Sequence, residues 1–197
     1  MQNNNYYWED SYAVSKLSII NCIIPNQGII LEKSLFYPSS GGQPSDIGSI
    51  KFEGMNLNIL EAKKFEGDNI LLVPEGIPRQ LEVGMRVLQE INWEMRYRHM
   101  KTHTALHLLS VVIPLPVTGG QITSEKGRLD FNMPDAPDDK QAIEDELNGL
   151  ILSNLKVTYQ WITDSELMAS PELVKTMSVK PPVGTGKVRL VRIGNQS

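Results

Sequence analysis

The sequence has a single cysteine, Cys22, among its 197 residues, so an internal disulfide is excluded. Small secreted domains commonly depend on disulfides, so the cysteine content gives secretion no support. Residues 1–12 are polar and acidic, and they lack the basic start and apolar core of a signal peptide. The longest apolar runs, 17–24 and 108–117, are too short to cross a bilayer. These absences predict a soluble, cytoplasmic protein.

An excess of basic charge is also missing. The chain has 19 Lys and Arg against 23 Asp and Glu, a net charge of −4, so its overall charge does not indicate a nucleic-acid binder. The charges are unevenly placed, because the acids gather at 135–146 and none follows residue 174. The basic residues of that last part are Lys175, Lys180, Lys187, Arg189 and Arg192. Such a strip can contact phosphate or form a solvated surface, and both interpretations stay open.

The sequence pattern of the first ninety residues predicts short strands. Hydrophobic residues make up 41% of the chain and charged residues 21%, which argues for a folded globular protein. Apolar, β-branched segments alternate with Gly- and Pro-bearing turns at 17–24, 28–37, 50–52, 57–62, 70–73 and 85–91. Strands at a spacing of about ten residues, without a helical pattern between them, predict a small barrel or sandwich. We therefore expect an N-terminal β-barrel-like domain at residues 1–90.

The pattern changes near Trp93. Residues 94–112 contain no Gly or Pro and repeat apolar residues every three or four positions, which predicts a helix that ends before Pro114. Two further helices are predicted from N-terminal capping signals: Asp138 with Gln141, and Thr163 with Glu166.

Alternating apolar residues predict three further strands, at 129–133, 157–161 and 188–193. Residues 91–197 should therefore form a two-layer domain, with helices packed on a mostly antiparallel sheet. The predicted fold class of the whole chain is α+β.

His103 and His107 form the most specific chemical pattern. On a helix, residues four apart share one face, so both imidazoles can reach one metal ion. Thr104 stands where the metalloprotease helix needs a glutamate base, so that motif is excluded. Paired histidines alone are weak evidence, because most such pairs bind no metal. His99 lies one turn earlier, either as a third ligand or as an exposed neighbour, and we expect the neighbour.

A glycine-rich loop spans residues 36–48, with the sequence FYPSSGGQPSDIG. Two prolines flank Gly41, Gly42 and Gln43, so the backbone is constrained yet can approach another surface closely. Such a loop can grip a small polar ligand, or it can simply link two strands of the barrel. Without other information, the simple link is the expected role.

Taken together, these segments resemble the alanyl-tRNA synthetase editing domain, and above all its freestanding AlaX-type relatives. The loop 36–48 resembles the glycine-rich motif of that family. The segment 103–109 (HTALHLL) resembles its zinc-binding helix, including the basic and aromatic run 93–98 before it. Segments 119–122, 128–131 and 188–194 follow in the family's order. The resemblance covers nearly the whole chain.

The resemblance implies a hydrolase that cleaves the ester between a wrong amino acid and tRNA. The implied substrate is serine, and with it glycine, attached to the tRNA for alanine. Zinc is the implied cofactor, with His103 and His107 as its ligands and as the catalytic residues. The candidates for substrate binding are Ser34, where the family usually has threonine, and Gly41, Gly42 and Gln43. The candidates for tRNA contact are Arg96, Arg98 and Lys101, with a solvated surface as the alternative.

One departure from the family concerns the metal. The family has a Cys-x-x-x-His motif after the Val-Arg-Ile strand, and this sequence ends at Ser197, where that motif should approach. Cys22 lies in the opposite half and does not match it. We therefore expect an incomplete zinc site in a truncated chain. A tRNA- or partner-binding module without hydrolysis is the alternative, and a third candidate, threonyl-tRNA editing, is disfavoured by the glycine-rich loop.

Overall fold

The computed structural model of the chain describes residues 5–170 and 187–195. The chain forms two compact units, Met1–His99 and Met100–Ser197. The predicted boundary near residue 90 lies at the end of the last strand of the first unit, and the units divide within the helix that follows. Within the described ranges, no helix has both the length and the apolarity that crossing a bilayer requires.

The first unit is a closed antiparallel barrel of six strands, as the turn spacing predicted. A four-residue helix, α1 (Tyr6–Glu9), precedes it. The strands are β1 (Ser15–Ile24), β2 (Gly28–Leu31), β3 (Gly48–Phe52), β4 (Met55–Lys64), β5 (Ile70–Pro74) and β6 (Arg86–Ile91). They close in the order β1-β2-β5-β4-β3-β6. Closure leaves no open sheet edge, so the backbone donors and acceptors of these strands pair within the barrel.

The barrel core is aliphatic. Ile20, Ile29, Ile50, Ile59 and Leu72 are each at most 1% exposed and come from five different strands. Burial alternates along β3 and β4, because successive side chains of a strand point to opposite faces. The hydrophobic effect of this shared interior is what holds the six strands together.

A buried ion pair ties the glycine-rich loop to the helix after the barrel, α2 (Trp93–Val112). The Nε of Arg96 donates to both carboxylate oxygens of Asp46, at 2.8 and 2.9 Å, and Nη2 also donates to Oδ2. The remaining guanidinium donors reach the carbonyl oxygens of Ser11 at 3.1 Å and Leu35 at 2.9 Å. Because Arg96 is 3% and Asp46 2% exposed, each charge depends on the other for compensation.

The second unit combines helices with short antiparallel ladders. Its strands are β7 (Val117–Ile122), β8 (Gly127–Phe131), β9 (Val157–Thr163) and β10 (Lys187–Ile193), and its further helices are α3 (Lys140–Leu152) and α4 (Asp164–Ala169). Strand β7 pairs with β8, and β9 pairs with β10. The α+β class is confirmed, and the pairing between strands is antiparallel as predicted. Within the described part of the chain, the strands of this unit form two ladders, not one continuous sheet.

The helix caps test the two capping signals that were predicted from the sequence. The capping box at α4 is confirmed: Thr163 Oγ1 accepts from the Glu166 amide at 3.1 Å, and Glu166 Oε2 accepts from the Thr163 amide at 2.7 Å. The N-cap predicted at Asp138 was wrong by one residue. Asp139 takes that place, and its Oδ1 accepts from the Ala142 amide at 2.9 Å. Adjacent aspartates carry the same capping signal, so the sequence did not separate them.

We predict that Asp46→Ala lowers the free energy of unfolding by about 3–5 kcal/mol, because it leaves the Arg96 guanidinium buried without its counter-charge. Urea denaturation followed by tryptophan fluorescence measures the change. The matched control is Glu94→Ala, which breaks the exposed Arg98–Glu94 pair on the same helix and should cost about 0.5 kcal/mol or less. Equal losses in the two variants would contradict this role for the buried pair.

Candidate functional site

The tip of the glycine-rich loop is a tight turn over Ser40–Gln43. The amide of Ser40 donates to the carbonyl of Gln43 at 3.1 Å, and the amide of Gln43 donates back at 3.0 Å. The two central residues, Gly41 and Gly42, have φ of +58° and +78°. Positive φ at both central positions is the geometry of a type I′ turn, which favours glycine. The turn therefore explains why this loop needs two successive glycines.

The base of the loop is held by Asp46. Its Oδ2 accepts from the Tyr37 amide at 2.7 Å, and its own amide donates to the Tyr37 carbonyl at 3.0 Å. Two residues after Tyr37, the amide of Ser39 donates to the carbonyl of Ala62 in β4 at 3.1 Å. The same carboxylate binds Arg96, so a single side chain closes the loop and fastens it to α2. This role of Asp46 was not predicted from the sequence, and the signal that could have found it is that Asp46 is the one acid among residues 36–48.

His103 and His107 lie side by side on α2. Their rings are nearly parallel, with an interplanar angle of 11° and centroids 5.0 Å apart. Burial, and then the neighbouring His107, lower the pKa of His103 to about 4. The His103 imidazole is therefore unprotonated near neutral pH and presents a nitrogen lone pair, the form in which histidine binds a metal or accepts a hydrogen bond.

Close packing of β8 against α2 supports this part of the helix. A Cβ added at Gly127, the first residue of β8, would lie 2.7 Å from Cγ2 of Thr102 and 3.1 Å from Leu106. Real Cβ atoms essentially never approach so closely, so a side chain at this position would have to displace Thr102 or Leu106. The start of β8 therefore leaves room only for glycine unless the neighbouring side chains of α2 shift.

Comparison with known proteins identifies the family. The model for class II (A) tRNA synthetases matches residues 13–95. The chain is 30% identical over 195 residues to the alanyl-tRNA editing protein AlaX-M of Methanosarcina barkeri, and 32% identical over 197 residues to that of Methanosarcina acetivorans. Both matches cover 95% of this chain and 80% of the relative. The chain belongs to the AlaX-M family of alanyl-tRNA editing proteins. The members of this family are hydrolases that deacylate mischarged tRNA.

Synthetases themselves contain a similar region. The alanine–tRNA ligase of Pyrobaculum arsenaticum is 28% identical over 200 residues, which is 97% of this chain and 22% of the ligase. The similarity is therefore to one part of a large synthetase, whereas the editing proteins match over most of their length. The resemblance stated from the motifs is confirmed on both counts.

The polar residues expected to bind substrate are largely enclosed. Ser34 is 2% exposed, and its Oγ accepts from the Phe36 amide at 3.1 Å and lies 3.3 Å from the Phe36 carbonyl. Its amide donates to Oδ1 of Asn5 at 3.2 Å. Gln43 is 6% exposed, whereas the two glycines beside it are exposed. The substrate-binding role of these four residues stays a prediction.

His99 is not the exposed neighbour that the sequence analysis expected. It is 2% exposed, and its pKa is lowered by burial, with Asp46 raising it and Arg96 lowering it further. Its Nδ1 has no hydrogen-bond partner among the described residues. The expectation was wrong because His99 lies on the face of α2 that also buries Arg96, a placement that helical spacing alone does not reveal.

The family's zinc can be tested against the donors present. Imidazole nitrogens suit zinc, and the rings of His103 and His107 lie next to each other on one helix face. Protein zinc sites use three or four protein ligands. Across residues 5–170 and 187–195, no group of three His, Cys, Asp or Glu side chains is arranged to hold a metal. The described residues alone therefore do not make a complete zinc site.

The three cations expected to contact tRNA have different environments. Arg96 is buried, and its guanidinium already binds Asp46 and two carbonyl groups, so we reassign it from phosphate contact to holding the glycine-rich loop. Arg98 is exposed and pairs with Glu94 at 2.7 Å on the helix surface. Lys101 is exposed as well. Solvent access is compatible with phosphate contact for these two residues, whose role stays a prediction.

We predict that Gly41→Ala lowers the free energy of unfolding by about 1–2 kcal/mol, because an L side chain disfavours the left-handed backbone there. Space is not the cause, since a Cβ at Gly41 would meet no atom within 4 Å. The control is Gly76→Ala, another open loop position, where φ is not positive and little loss is expected. Urea denaturation of both variants measures the difference, and equal stabilities would contradict the turn assignment.

Proposed function

We propose that this chain is a cytoplasmic trans-editing hydrolase that removes serine, and also glycine, from mischarged tRNA for alanine. Family membership supports editing of alanyl-tRNA errors in general. The paired imidazoles of His103 and His107 are the single observation that carries the chemical proposal, and burial lowers the pKa of His103 to about 4. Both lie on a helix whose sequence resembles the metal-binding helix of the family.

The proposed reaction is hydrolysis of an ester. A water oxygen attacks the carbonyl carbon of the amino acid, and the bond between that carbon and the ribose oxygen breaks. Of the two protons of the water, one goes to the departing ribose oxygen and the other to the solvent, so the amino acid is released as a carboxylate. Because an ester is already activated, a positioned water and stabilisation of the developing charge suffice. We assign the positioning of that water to the histidine pair.

Zinc is the proposed cofactor, with His103 and His107 among its ligands. When bound, it would act as a Lewis acid near the ester. Two imidazoles fall short of the usual ligand number, so no step of the hydrolysis is assigned to the metal. The requirement of neutral imidazole for metal binding is met at His103, because burial holds its pKa at about 4.

Discrimination against alanine is proposed to come from the glycine-rich loop. A site that hydrogen-bonds a substrate hydroxyl rejects the analogue without it, because its own buried polar groups are then left unpaired. Gln43 carries an amide beside the exposed glycines and is our candidate for this contact. The Ser34 hydroxyl already donates to and accepts from the Phe36 backbone, so we give it the smaller part.

A binding module without hydrolysis is the second candidate. The observation that favours it is the metal-donor count: the described residues offer no cluster of three potential ligands. Such a module would still bind tRNA, with Arg98 and Lys101 as exposed cations for phosphate contact. Its affinity would fall with rising salt, as counterion release requires, while deacylation would be absent.

We predict that His103→Ala slows deacylation of Ser-tRNA(Ala) by about 100-fold or more, the usual scale for losing a group that positions or activates water. Release of labelled serine measures the rate. The control is Asn148→Ala, an exposed change on α3 in the same unit, which should leave the rate unchanged. A wild-type rate in the His103→Ala protein would refute the role of the pair. Tight tRNA binding without hydrolysis by the wild type would favour the binding module.

We predict that His103→Ala and His107→Ala each lower the zinc content of the purified, dialysed protein, because each removes one of the two neighbouring donors. Elemental analysis of wild type and variants measures this without reference to activity. Asn148→Ala again serves as the control and should match the wild type. Equal zinc in both histidine variants and the wild type would rule out the pair as ligands.

A further inference from the structure

The β9–β10 ladder presents an aromatic and basic face. All seven residues of each strand pair in one continuous register, with Tyr159 opposite Val191 and Trp161 opposite Arg189. Opposite residues in an antiparallel pair lie on the same face, and alternate residues along a strand share it. We call this the aromatic face. It comprises Val157, Tyr159, Trp161 and Thr163 of β9 and Lys187, Arg189, Val191 and Ile193 of β10.

The rings of this face are accessible to solvent. Tyr159 is 48% and Trp161 44% exposed, and Val191, opposite Tyr159, is 41% exposed. Large apolar side chains are usually buried, so three neighbours exposed on one short ladder mark a surface for a partner. Neither His103 nor Gln43 belongs to this face, so the proposed hydrolysis does not account for it.

The face is also basic. Lys187 and Arg189 lie on it, whereas Arg192, which is opposite Thr158, lies on the other side of the ladder. Neither β9 nor β10 contains an acid. The guanidinium carbon of Arg189 lies 4.3 Å from the centroid of the Tyr159 ring, so the face places a cation directly beside an aromatic ring. Two acids, Asp164 and Glu166, follow β9 in α4, and Glu166 is bound to Thr163 in the capping box. The charge of the two strands themselves is thus opposite to the net charge of −4 for the chain.

We propose that the aromatic face binds unpaired nucleotides of an RNA strand. Two aromatic rings on alternate positions stand about 7 Å apart along a strand, which suits bases that are splayed out and stacked one by one. Basic side chains beside the rings pair with the phosphates, and stacking on such rings tolerates any base. An apolar protein partner would use the rings but not the cations, whereas RNA uses both. That the RNA is tRNA rests on the proposed function; the stacking itself does not.

The test measures binding of a fluorescein-labelled single-stranded RNA of about eight nucleotides, within the usual site size of such surfaces, by fluorescence anisotropy. Trp161→Ala should weaken binding about 5- to 100-fold, the range expected from loss of one stacked base. Trp161→Phe keeps a ring and should stay near the wild type. Tyr12→Ala, which removes an exposed aromatic from the other unit, is the matched control and should have no effect.

Salt dependence tests the basic part of the face. Arg189→Gln should reduce the slope of log affinity against log salt by about 0.7, the value for one phosphate contact on a single strand. The control is Lys63→Gln, a cation of the barrel that is 52% exposed and should leave the slope unchanged. An unaltered slope for Arg189→Gln would overturn the assignment of that cation to phosphate.

Three outcomes would overturn the proposal: unchanged affinity in Trp161→Ala, equal loss in Trp161→Ala and Trp161→Phe, or equally tight binding of a duplex RNA. Light scattering adds a fourth, since a change of oligomeric state in Trp161→Ala with RNA binding intact would make this face an interface between copies. Anisotropy requires no hydrolysis, so it reports RNA binding whether or not the chain deacylates tRNA. Failure of the deacylation proposal and failure of this one are therefore separable.

Discussion

The buried ion pair between Asp46 and Arg96 is the constraint on which the candidate substrate loop depends. Removing two charges from water is costly, and the cost is offset only when every donor and acceptor has a partner. Here the carboxylate also accepts from the Tyr37 amide, and the guanidinium also reaches the carbonyls of Ser11 and Leu35. One interaction therefore joins the N-terminal segment, the loop and the start of α2.

That constraint gives the glycine-rich loop a rigid base under a small tip. The base is closed by Asp46 and by the bond from Ser39 to β4, while Gly41 and Gly42 form the type I′ turn at the end. A loop held in this way loses little entropy when it binds a ligand, which is the benefit of preorganisation. The turn residues of the motif form its sharp tip, and its one buried acid holds the base of the loop in place.

The arrangement of the histidine pair has a different physical cause, namely helical spacing and burial. Four-residue spacing on a helix brings the imidazoles together whatever the rest of the chain does, and burial then removes the charge from His103. The proposed hydrolysis gives this pair a chemical role, because stacked imidazoles by themselves define no reaction. The proposed RNA-binding face adds a third element, in which regular strand pairing places rings and cations side by side.

Sequence alone determined the features that arise between near neighbours in the chain. Strand alternation and turn residues predicted the barrel, the capping box at Thr163 and Glu166 was correct, and the spacing of His103 and His107 predicted their adjacency. Only the tertiary structure decided the environment of Arg96 and His99, both of which sequence placed at the surface. The sequence around an arginine does not indicate whether its side chain faces water or pairs with a buried carboxylate fifty positions earlier. Its role is set by the partner that packing brings to it, and that partner is distant in sequence.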